Sequence, residues 1–216
     1  ILSGLVGSEM CIRDRPSVDR IMLDGNTSRN IVEETFRLLG LPMEKVEFLE
    51  KGFAYSCEEL VLPSMSTIYP GITTRWTAQW LREVFLGNEK AVNGSQTERI
   101  LVVRGASSSR QLDNLGEIQR ALEPFGFQTK YLENTTLKQQ VELFSSASCV
   151  VAQHGAGLAN ATFCRPGTTL IELMAPGHIN DCYERLAGHC DLNYFRIIGK
   201  ASTNPVNCTV SPCLLY

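Results

Sequence analysis

The sequence Cys149-Val-Val-Ala-Gln-His-Gly-Ala-Gly-Leu-Ala-Asn-Ala-Thr-Phe-Cys-Arg-Pro-Gly-Thr-Thr-Leu-Ile-Glu-Leu173 decides the fold of this chain. It contains an apolar run, a turn of small residues, a short helical segment, a Pro-Gly turn and a second apolar run. A strand inside a parallel sheet is buried on both faces, so Val150, Val151 and Ala152 need no polar residues between them. The stretch therefore predicts two buried parallel strands joined by a helix.

The turn after the first apolar run is suited to binding an anion. Gly155 and Gly157 let the backbone approach a ligand closely, and a helix that begins there points free N–H groups and its positive dipole end at the ligand. His154 precedes the turn at the carboxyl end of a strand, where open α/β sheets bind ligands. The turn predicts a phosphate site. The alternative is that both glycines only allow close packing of strand and helix.

The glycine spacing disfavours a site for NAD. The dinucleotide fingerprint has glycine at its first, third and sixth positions, and the sixth position here is Asn160. The Gly-x-Ser-x-Gly elbow of serine hydrolases does not occur in the sequence. An NAD-dependent oxidoreductase and a serine hydrolase are therefore both weak interpretations.

Further motifs surround this turn in a fixed order. They are Arg104, Ser109-Arg-Gln-Leu-Asp-Asn114, Gln140-Val-Glu-Leu-Phe-Ser-Ser-Ala147, His154-Gly-Ala-Gly-Leu-Ala-Asn160, Pro166-Gly-Thr168 and Ile171-Glu-Leu173. In this order and spacing they resemble the glycosyltransferase family 61 proteins, also called DUF563. The resemblance extends from about residue 19 to about residue 199.

The resemblance implies a GT-B-type α/β fold with a Rossmann-like, doubly wound parallel sheet in the C-terminal domain and only part of the N-terminal domain. It implies inverting transfer of xylose, GlcNAc or arabinose from a UDP-sugar donor to a hydroxyl of a glycan or glycoprotein. No cofactor beyond the donor is expected, and the compartment would be the Golgi or ER lumen of a eukaryotic cell. The alternative is a non-catalytic fragment that binds a nucleotide or glycan.

Apolar periodicity and turn residues predict the order of elements. Predicted strands cover residues 21–23, 46–49, 59–62, 99–103, 128–132, 149–152, 168–172 and 194–198. Helices are predicted after Thr27 or Ser28, ending at Gly40, at residues 76–85, and after the capping-box pairs Asn114 with Glu117 and Thr136 with Gln139. A further helix is predicted near residues 181–187, and residues 65–74 are predicted to form a crossing loop.

Four segments follow from this order. Residues 1–16 resemble translated sequencing-adapter read-through and are left out of the fold prediction. Residues 17–92 are interpreted as the remnant of an N-terminal domain with an interdomain segment, and residues 93–200 as the nucleotide-sugar-binding domain. Residues 201–216 form a tail.

A nucleotide diphosphate needs positive charge around it, either from a metal on an Asp-x-Asp motif or from arginines and helix N-termini. The sequence has no Asp-x-Asp motif. We therefore expect Arg110, and also Arg104, to neutralise the diphosphate without a metal, with hydrogen bonds from residues 107–109, including Ser109. The alternative for each arginine is a solvated surface charge.

Other residues of the turn and the next strand complete the candidate site. The amides of Gly155, Ala156 and Gly157 are expected to bind phosphate, and Glu172 is a candidate acceptor for hydrogen bonds from ribose hydroxyls. The alternative for Glu172 is a capping or ion-pairing carboxylate. Asn160 belongs to the same helix, in a binding or a structural role. The catalytic base is expected from the N-terminal domain or the cleft and is not assigned by the sequence. His154 is the candidate catalytic residue, although the sequence favours its other interpretation, the orientation of phosphate or sugar.

Composition limits the partners. Hydrophobic residues make up 44% of the 216 residues, enough for a core, and a net charge of −3 gives no reason to expect nucleic acid. No apolar run reaches bilayer length, so membrane contact is expected only through an upstream anchor. The eight cysteines form no Cys-x-x-Cys pair; they are either disulfide partners or buried thiols.

Overall fold

The structure, a computed structural model, describes residues 18–62, 67–69 (backbone only), 72–87, 97–105, 111–202 and 207–215. Its strands are β1 (Ile21–Asp24), β2 (Val46–Leu49), β3 (Thr67–Tyr69), β4 (Ile72–Thr73), β5 (Glu98–Val103), β6 (Phe127–Tyr131), β7 (Ala147–Gln153), β8 (Thr169–Met174), β9 (Asn193–Ile198), β10 (Lys200–Ala201) and β11 (Cys208–Thr209). Its α-helices are α1 (Arg29–Leu39), α2 (Arg75–Leu86), α3 (Leu115–Leu122), α4 (Leu137–Ser146) and α5 (Cys182–His189). Shorter 3₁₀ helices cover Met43–Lys45, Glu123–Phe125, Ala156–Phe163 and Pro212–Leu215.

Strands β5 to β9 form one parallel sheet in the spatial order β6-β5-β7-β8-β9. The chain runs from β5 outward to β6, crosses back to β7 on the other side of β5, and then continues outward to β9. The direction of winding therefore reverses between β5 and β7. In open α/β sheets, ligands bind beyond the carboxyl ends of the strands at such a reversal. The predicted doubly wound parallel sheet is confirmed.

Both faces of this sheet are covered by helices, which explains the unbroken apolar run in β7. Val150 and Val151 point to opposite faces of the strand, and both are fully buried. The face of Val150 packs against side chains of α2, α4 and α5, which include Leu81, Val141, Phe144 and Leu186. The face of Val151 packs against α3 and the last described residues through Ile118, Leu122 and Val210.

A smaller unit precedes the sheet. Strands β1 and β2 pair in parallel, and α1 connects them and buries Val32 and Phe36 in a separate apolar cluster. Helix α1 ends as predicted at Gly40, which adopts the left-handed conformation with φ 65°. The parallel β1-α1-β2 arrangement agrees with the predicted elements of this segment.

Helix α2 joins the small unit to the sheet, as the apolar spacing of residues 76–85 predicts. Ala78 and Leu81 belong to the buried cluster of the large sheet, and the rings of Phe85 and Phe163 meet edge to face with centroids 5.9 Å apart. Arg82 Nη1 donates to the carbonyl oxygens of Thr162, at 2.6 Å, and Cys164. The helix therefore fixes the segment that follows β7.

Three local predictions are wrong. Residues 59–62 form no strand, and Leu60 and Leu62 are 60% and 79% exposed. The predicted loop at residues 65–74 contains the antiparallel pair β3 and β4. Asn114 precedes α3 but makes no side-chain cap; its side chain bonds both backbone polar groups of Val210 instead.

The cysteines of the described segments are free thiols. Burial raises the pKa of the Cys190 thiol to about 11, so at neutral pH it is protonated and packs as a small apolar group.

The predicted domain boundary at residues 92–93 lies outside the described residues. Within the described ranges, no helix combines the length and apolar character that crossing a bilayer requires.

Candidate functional site

The loops after β5 and β7 lie side by side at the point where the sheet reverses. Arg104 directly follows β5 and His154 directly follows β7. Arg104 Nη1 lies 3.4 Å from the carbonyl oxygen of His154. A methyl group added at Gly155 would lie 2.2 Å from Arg104 Nη1. The structure therefore brings Arg104, His154 and Gly155 together, and glycine at 155 leaves room for the guanidinium.

The short helical segment that the sequence predicts after β7 is present. Residues Ala156–Phe163 form a 3₁₀ helix. Leu158 and Phe163 are buried against the sheet, and a methyl group at Gly157 would lie 3.1 Å from Leu132 Cδ1. The segment is therefore packed tightly. This agrees with the alternative interpretation that the glycines allow close packing of strand and helix. Ala156 is exposed at its start, where the first N–H groups of a helix have no partner within the helix.

His154 is held from three sides. Its Nδ1 bonds Glu172 Oε1, and its Nε2 lies 3.1 Å from Asn180 Nδ2. The rings of His178 and Tyr183 stack at an angle on the imidazole, with centroids 5.0 and 5.3 Å away. Tyr183 also donates its hydroxyl to the carbonyl oxygen of Gly155 at 2.7 Å. His154 is 7% exposed, so its position is fixed by the protein.

Glu172 occupies a different position from the one expected for a ribose ligand. It is fully buried, and Oε2 accepts the hydroxyl of Tyr194 at 2.5 Å while Oε1 bonds His154. Arg196 Nε donates to the same Tyr194 oxygen at 3.1 Å. Both carboxylate oxygens are engaged inside the protein. Burial and the bond to Glu172 raise the pKa of Tyr194, so its hydroxyl remains a donor.

Asn160 faces the interior. It is 6% exposed, and its Nδ2 donates to Gln140 Oε1 at 2.8 Å and to the carbonyl oxygen of Gly157 at 3.1 Å. These bonds tie the 3₁₀ segment to α4. Of the two roles left open for this residue, the structure supports the structural one.

Ser109 and Arg110 lie outside the described residues, so their part in the site stays a prediction. The described start of their loop is fixed at Gly105, whose N–H donates to Glu133 Oε1 at 2.6 Å and whose carbonyl oxygen accepts from Gln111 Nε2 at 2.9 Å. Within the described ranges, no three or more His, Cys, Asp or Glu side chains are grouped to hold a metal ion. Metal independence also stays a prediction.

Sequence reasoning missed the residues that hold His154 and Glu172. Tyr194 and Arg196 are two residues apart on β9, which places both on one face of a strand that is paired with β8. Two polar residues on the same face of a strand in a buried α/β sheet could have indicated a polar contact inside the protein. Asn180 lies in a loop without periodicity, and nothing local distinguishes it.

A match to a known protein family covers most of the chain. The family model described as Glycosyltransferase 61 matches residues 10–171. The chain belongs to the glycosyltransferase 61 family. A similar protein is the protein O-linked-mannose beta-1,4-N-acetylglucosaminyltransferase 2 of Tetraodon nigroviridis, 32% identical over 114 residues, which cover 51% of this chain and 19% of that protein. The chain thus spans about a fifth of the length of this relative.

Proposed function

We propose that this chain forms the donor-binding part of an inverting GT-B glycosyltransferase, which transfers a sugar from a UDP-sugar to a hydroxyl of a glycan or glycoprotein. The observation that carries the proposal is the contact between Arg104 and the His154-Gly155 turn at the reversal of the sheet. Membership in the glycosyltransferase 61 family supports the reaction class. The donor sugar is xylose, GlcNAc or arabinose.

In this reaction the leaving group is UDP, whose negative charge grows as the bond to the sugar breaks. A guanidinium forms strong, charge-assisted hydrogen bonds with phosphate oxygens. Arg104 supplies one beside the exposed start of the 3₁₀ segment, where the amides of Ala156 and Gly157 add N–H donors. Ser109 and Arg110 follow Arg104 by five and six positions in the sequence, and we assign them to the same phosphate site.

Inversion also needs a base that removes the proton of the acceptor hydroxyl. His154 is the proposed catalytic residue, because it lies at the same turn and its Nδ1 is bonded to the buried carboxylate of Glu172. A carboxylate that orients a histidine is a recurrent arrangement for proton transfer. The new bond forms at the anomeric carbon while the bond to UDP breaks, and the hydroxyl proton passes to His154.

Titration calorimetry with UDP tests the phosphate site. We expect Arg104→Ala and Arg110→Ala each to weaken UDP binding about tenfold or more, since charged hydrogen bonds contribute roughly 1.5–3 kcal/mol. Arg99→Ala is the matched control, because Arg99 lies at the amino end of the same strand β5 and bonds the carbonyl oxygen of Phe125. Unchanged UDP affinity in both site variants would contradict the proposal.

A chelator should leave UDP binding nearly unchanged, and a strict requirement for Mn²⁺ would contradict the arginine-based site.

The second candidate function is that of a fragment that binds the nucleotide without transferring sugar. The matched residues cover only 19% of the similar protein, which favours this candidate. UDP binding with no transfer to any glycan acceptor would identify that case. We place the activity in the Golgi or ER lumen. Asn26-Thr-Ser and Asn134-Thr-Thr match the N-glycosylation pattern Asn-x-Ser/Thr, and the exposure of both asparagines supports this compartment.

A further inference from the structure

The hydrogen bonds of Asn180 determine which nitrogen of His154 carries the proton. Asn180 Oδ1 accepts from the backbone N–H of Cys182 at 3.2 Å, which fixes the orientation of the amide. Nδ2 therefore faces His154 Nε2, at 3.1 Å. An amide NH₂ group can only donate, so Nε2 is the acceptor and the proton of the neutral imidazole lies on Nδ1.

The groups on the other side of the ring require the same arrangement. Nδ1–H donates to Glu172, which accepts at both oxygens when it is ionised. Arg196 Nε–H donates to the Tyr194 oxygen, so the single hydroxyl proton of Tyr194 points to Glu172 Oε2. Every bond from Arg196 through Tyr194 and Glu172 to His154 then has one donor and one acceptor.

We propose that Glu172 and Tyr194 are positioning residues that keep His154 in the Nδ1–H tautomer, so that Nε2 accepts a hydrogen bond from a hydroxyl of the bound sugar. In the structure, Asn180 Nδ2 lies at the position that we assign to this hydroxyl. The inference rests on the proposed function for the identity of the ligand. The tautomer itself follows from the contacts of the chain alone.

The Nδ1–H tautomer assigns the phosphates and the sugar hydroxyl to different positions in the site. A phosphate oxygen without a proton cannot donate to Nε2, whereas a sugar hydroxyl can. The phosphates therefore belong beside Arg104 and the Ala156 and Gly157 amides, and a hydroxyl belongs at Nε2. In the transfer step the acceptor hydroxyl takes this position at Nε2: its proton passes to Nε2, its oxygen bonds the anomeric carbon, and UDP leaves with the electron pair of the broken bond.

Nitrogen-15 NMR of the full 216-residue chain tests the tautomer without any ligand. The chain has only three histidines, so His178→Gln and His189→Gln variants assign the signals. At a pH where the imidazole is neutral, we expect His154 to show a protonated Nδ1 and an unprotonated Nε2. A signal from the Nε2–H tautomer of His154 would overturn the inference.

Two variants test the positioning roles. Glu172→Gln places an amide donor within reach of Nδ1, and we expect a measurable shift of His154 toward the Nε2–H tautomer. Tyr194→Phe removes one donor to the carboxylate and should cause a smaller shift while leaving the packing of the ring in place. Glu184→Gln is the control, because Glu184 bonds Arg196 at the outer, exposed end of the same network. An identical His154 spectrum in Tyr194→Phe and in a folded Glu172→Gln protein would rule out a positioning role.

Titration with two probes tests the ligand at Nε2. Sulfate carries no proton at neutral pH and cannot donate, so we expect the His154 Nε2 signal to remain unprotonated when sulfate is added. UDP-GlcNAc without an acceptor should shift that signal without protonating it, as a hydroxyl of its sugar replaces Asn180. Protonation of Nε2 by sulfate would overturn the inference. If the chain shows the expected tautomer but does not bind UDP-GlcNAc, the result counts against the proposed function. The positioning roles of Glu172 and Tyr194 are still decided by the spectrum without ligand.

Discussion

At the scale of single residues, the site depends on space as much as on charge. Gly155 has a φ of 164° and a ψ of 177°, an extended conformation that any residue can adopt. What a larger residue would lose is the room that Arg104 occupies, since an added methyl group would lie 2.2 Å from Nη1 and 3.2 Å from Cζ. The glycine therefore determines where the guanidinium lies.

The variant Gly155→Ala tests this role. The added methyl group should push the flexible Arg104 side chain away, at a cost below the roughly 1–3 kcal/mol of overpacking in a rigid core. UDP affinity should fall about tenfold, which corresponds to about 1.4 kcal/mol of binding free energy. Calorimetry with UDP and thermal unfolding measure the two effects.

Gly188→Ala is the matched control for Gly155→Ala. Gly188 lies in helix α5 with no heavy atom near an added methyl group, so alanine should stabilise the chain by roughly 0.5–1 kcal/mol without changing UDP affinity. Equal UDP affinities of the two variants would show that the space at residue 155 is irrelevant to binding.

The sequence indicates the position of candidate site residues that belong to one continuous stretch. His154 and Gly155 are recognisable because the end of a buried strand and a glycine turn are local features. The position of Glu172 was not predictable in the same way. Its partner Tyr194 comes from β9, 22 residues later, and is placed by the pairing of β8 with β9. That pairing is a property of the folded sheet.

At the scale of elements, the start of helix α4 connects the small unit to the large sheet. The predicted capping box is confirmed, since Thr136 Oγ1 accepts from the N–H of Gln139 and Gln139 Oε1 from the N–H of Thr136. Glu34 of α1 accepts from the next two amides, those of Leu137 at 2.7 Å and Lys138 at 3.2 Å. The first turn of α4 is therefore capped in part by another helix.

Replacing Glu34 by alanine should destabilise the chain by about 1 kcal/mol, because two amides lose a charged acceptor at a helix N-terminus. Urea unfolding followed by circular dichroism measures the loss. Glu33→Ala is the control, since Glu33 is the exposed neighbour on the same helix and has the same helix propensity. A loss of equal size in both variants would mean that the contact with α4 contributes nothing.

Strands were predictable from an apolar segment where other strands of the folded sheet lie beside that segment. The apolar residues of β5 and β7 form strands because each lies between two other strands of the sheet. Residues 59–62 have a similar apolar content, yet no described strand lies beside them to accept their backbone hydrogen bonds, and they remain exposed. The predicted helix after Gly155 is a 3₁₀ helix whose apolar residues Leu158, Ala161 and Phe163 belong to the core of the large sheet.

At the scale of the whole molecule, the segment interpreted as a tail is part of the core. Cys208 and Val210 are 2% and 0% exposed and pack with Ile118 and Leu122 on one face of the large sheet. Asn207 Oδ1 accepts from the N–H of Gln111 at 2.8 Å, and Gln111 is the residue after Arg110 in the sequence. The segment therefore covers the sheet and holds Gln111 in place.

Shortening Val210 to alanine should lower the free energy of unfolding of the whole chain by roughly 1.5–3 kcal/mol. Two buried methyl groups account for about 0.8 kcal/mol each, and the cavity they leave adds to the loss. Leu214→Ala removes more apolar volume from the same segment, but Leu214 is 59% exposed, so its loss should stay within about 0.5 kcal/mol. Urea unfolding compares both variants with the unchanged chain, and a larger loss for Leu214→Ala would place this segment outside the core. Because Val210 also bonds Asn114 through its backbone, which the substitution preserves, the difference between the variants isolates side-chain packing.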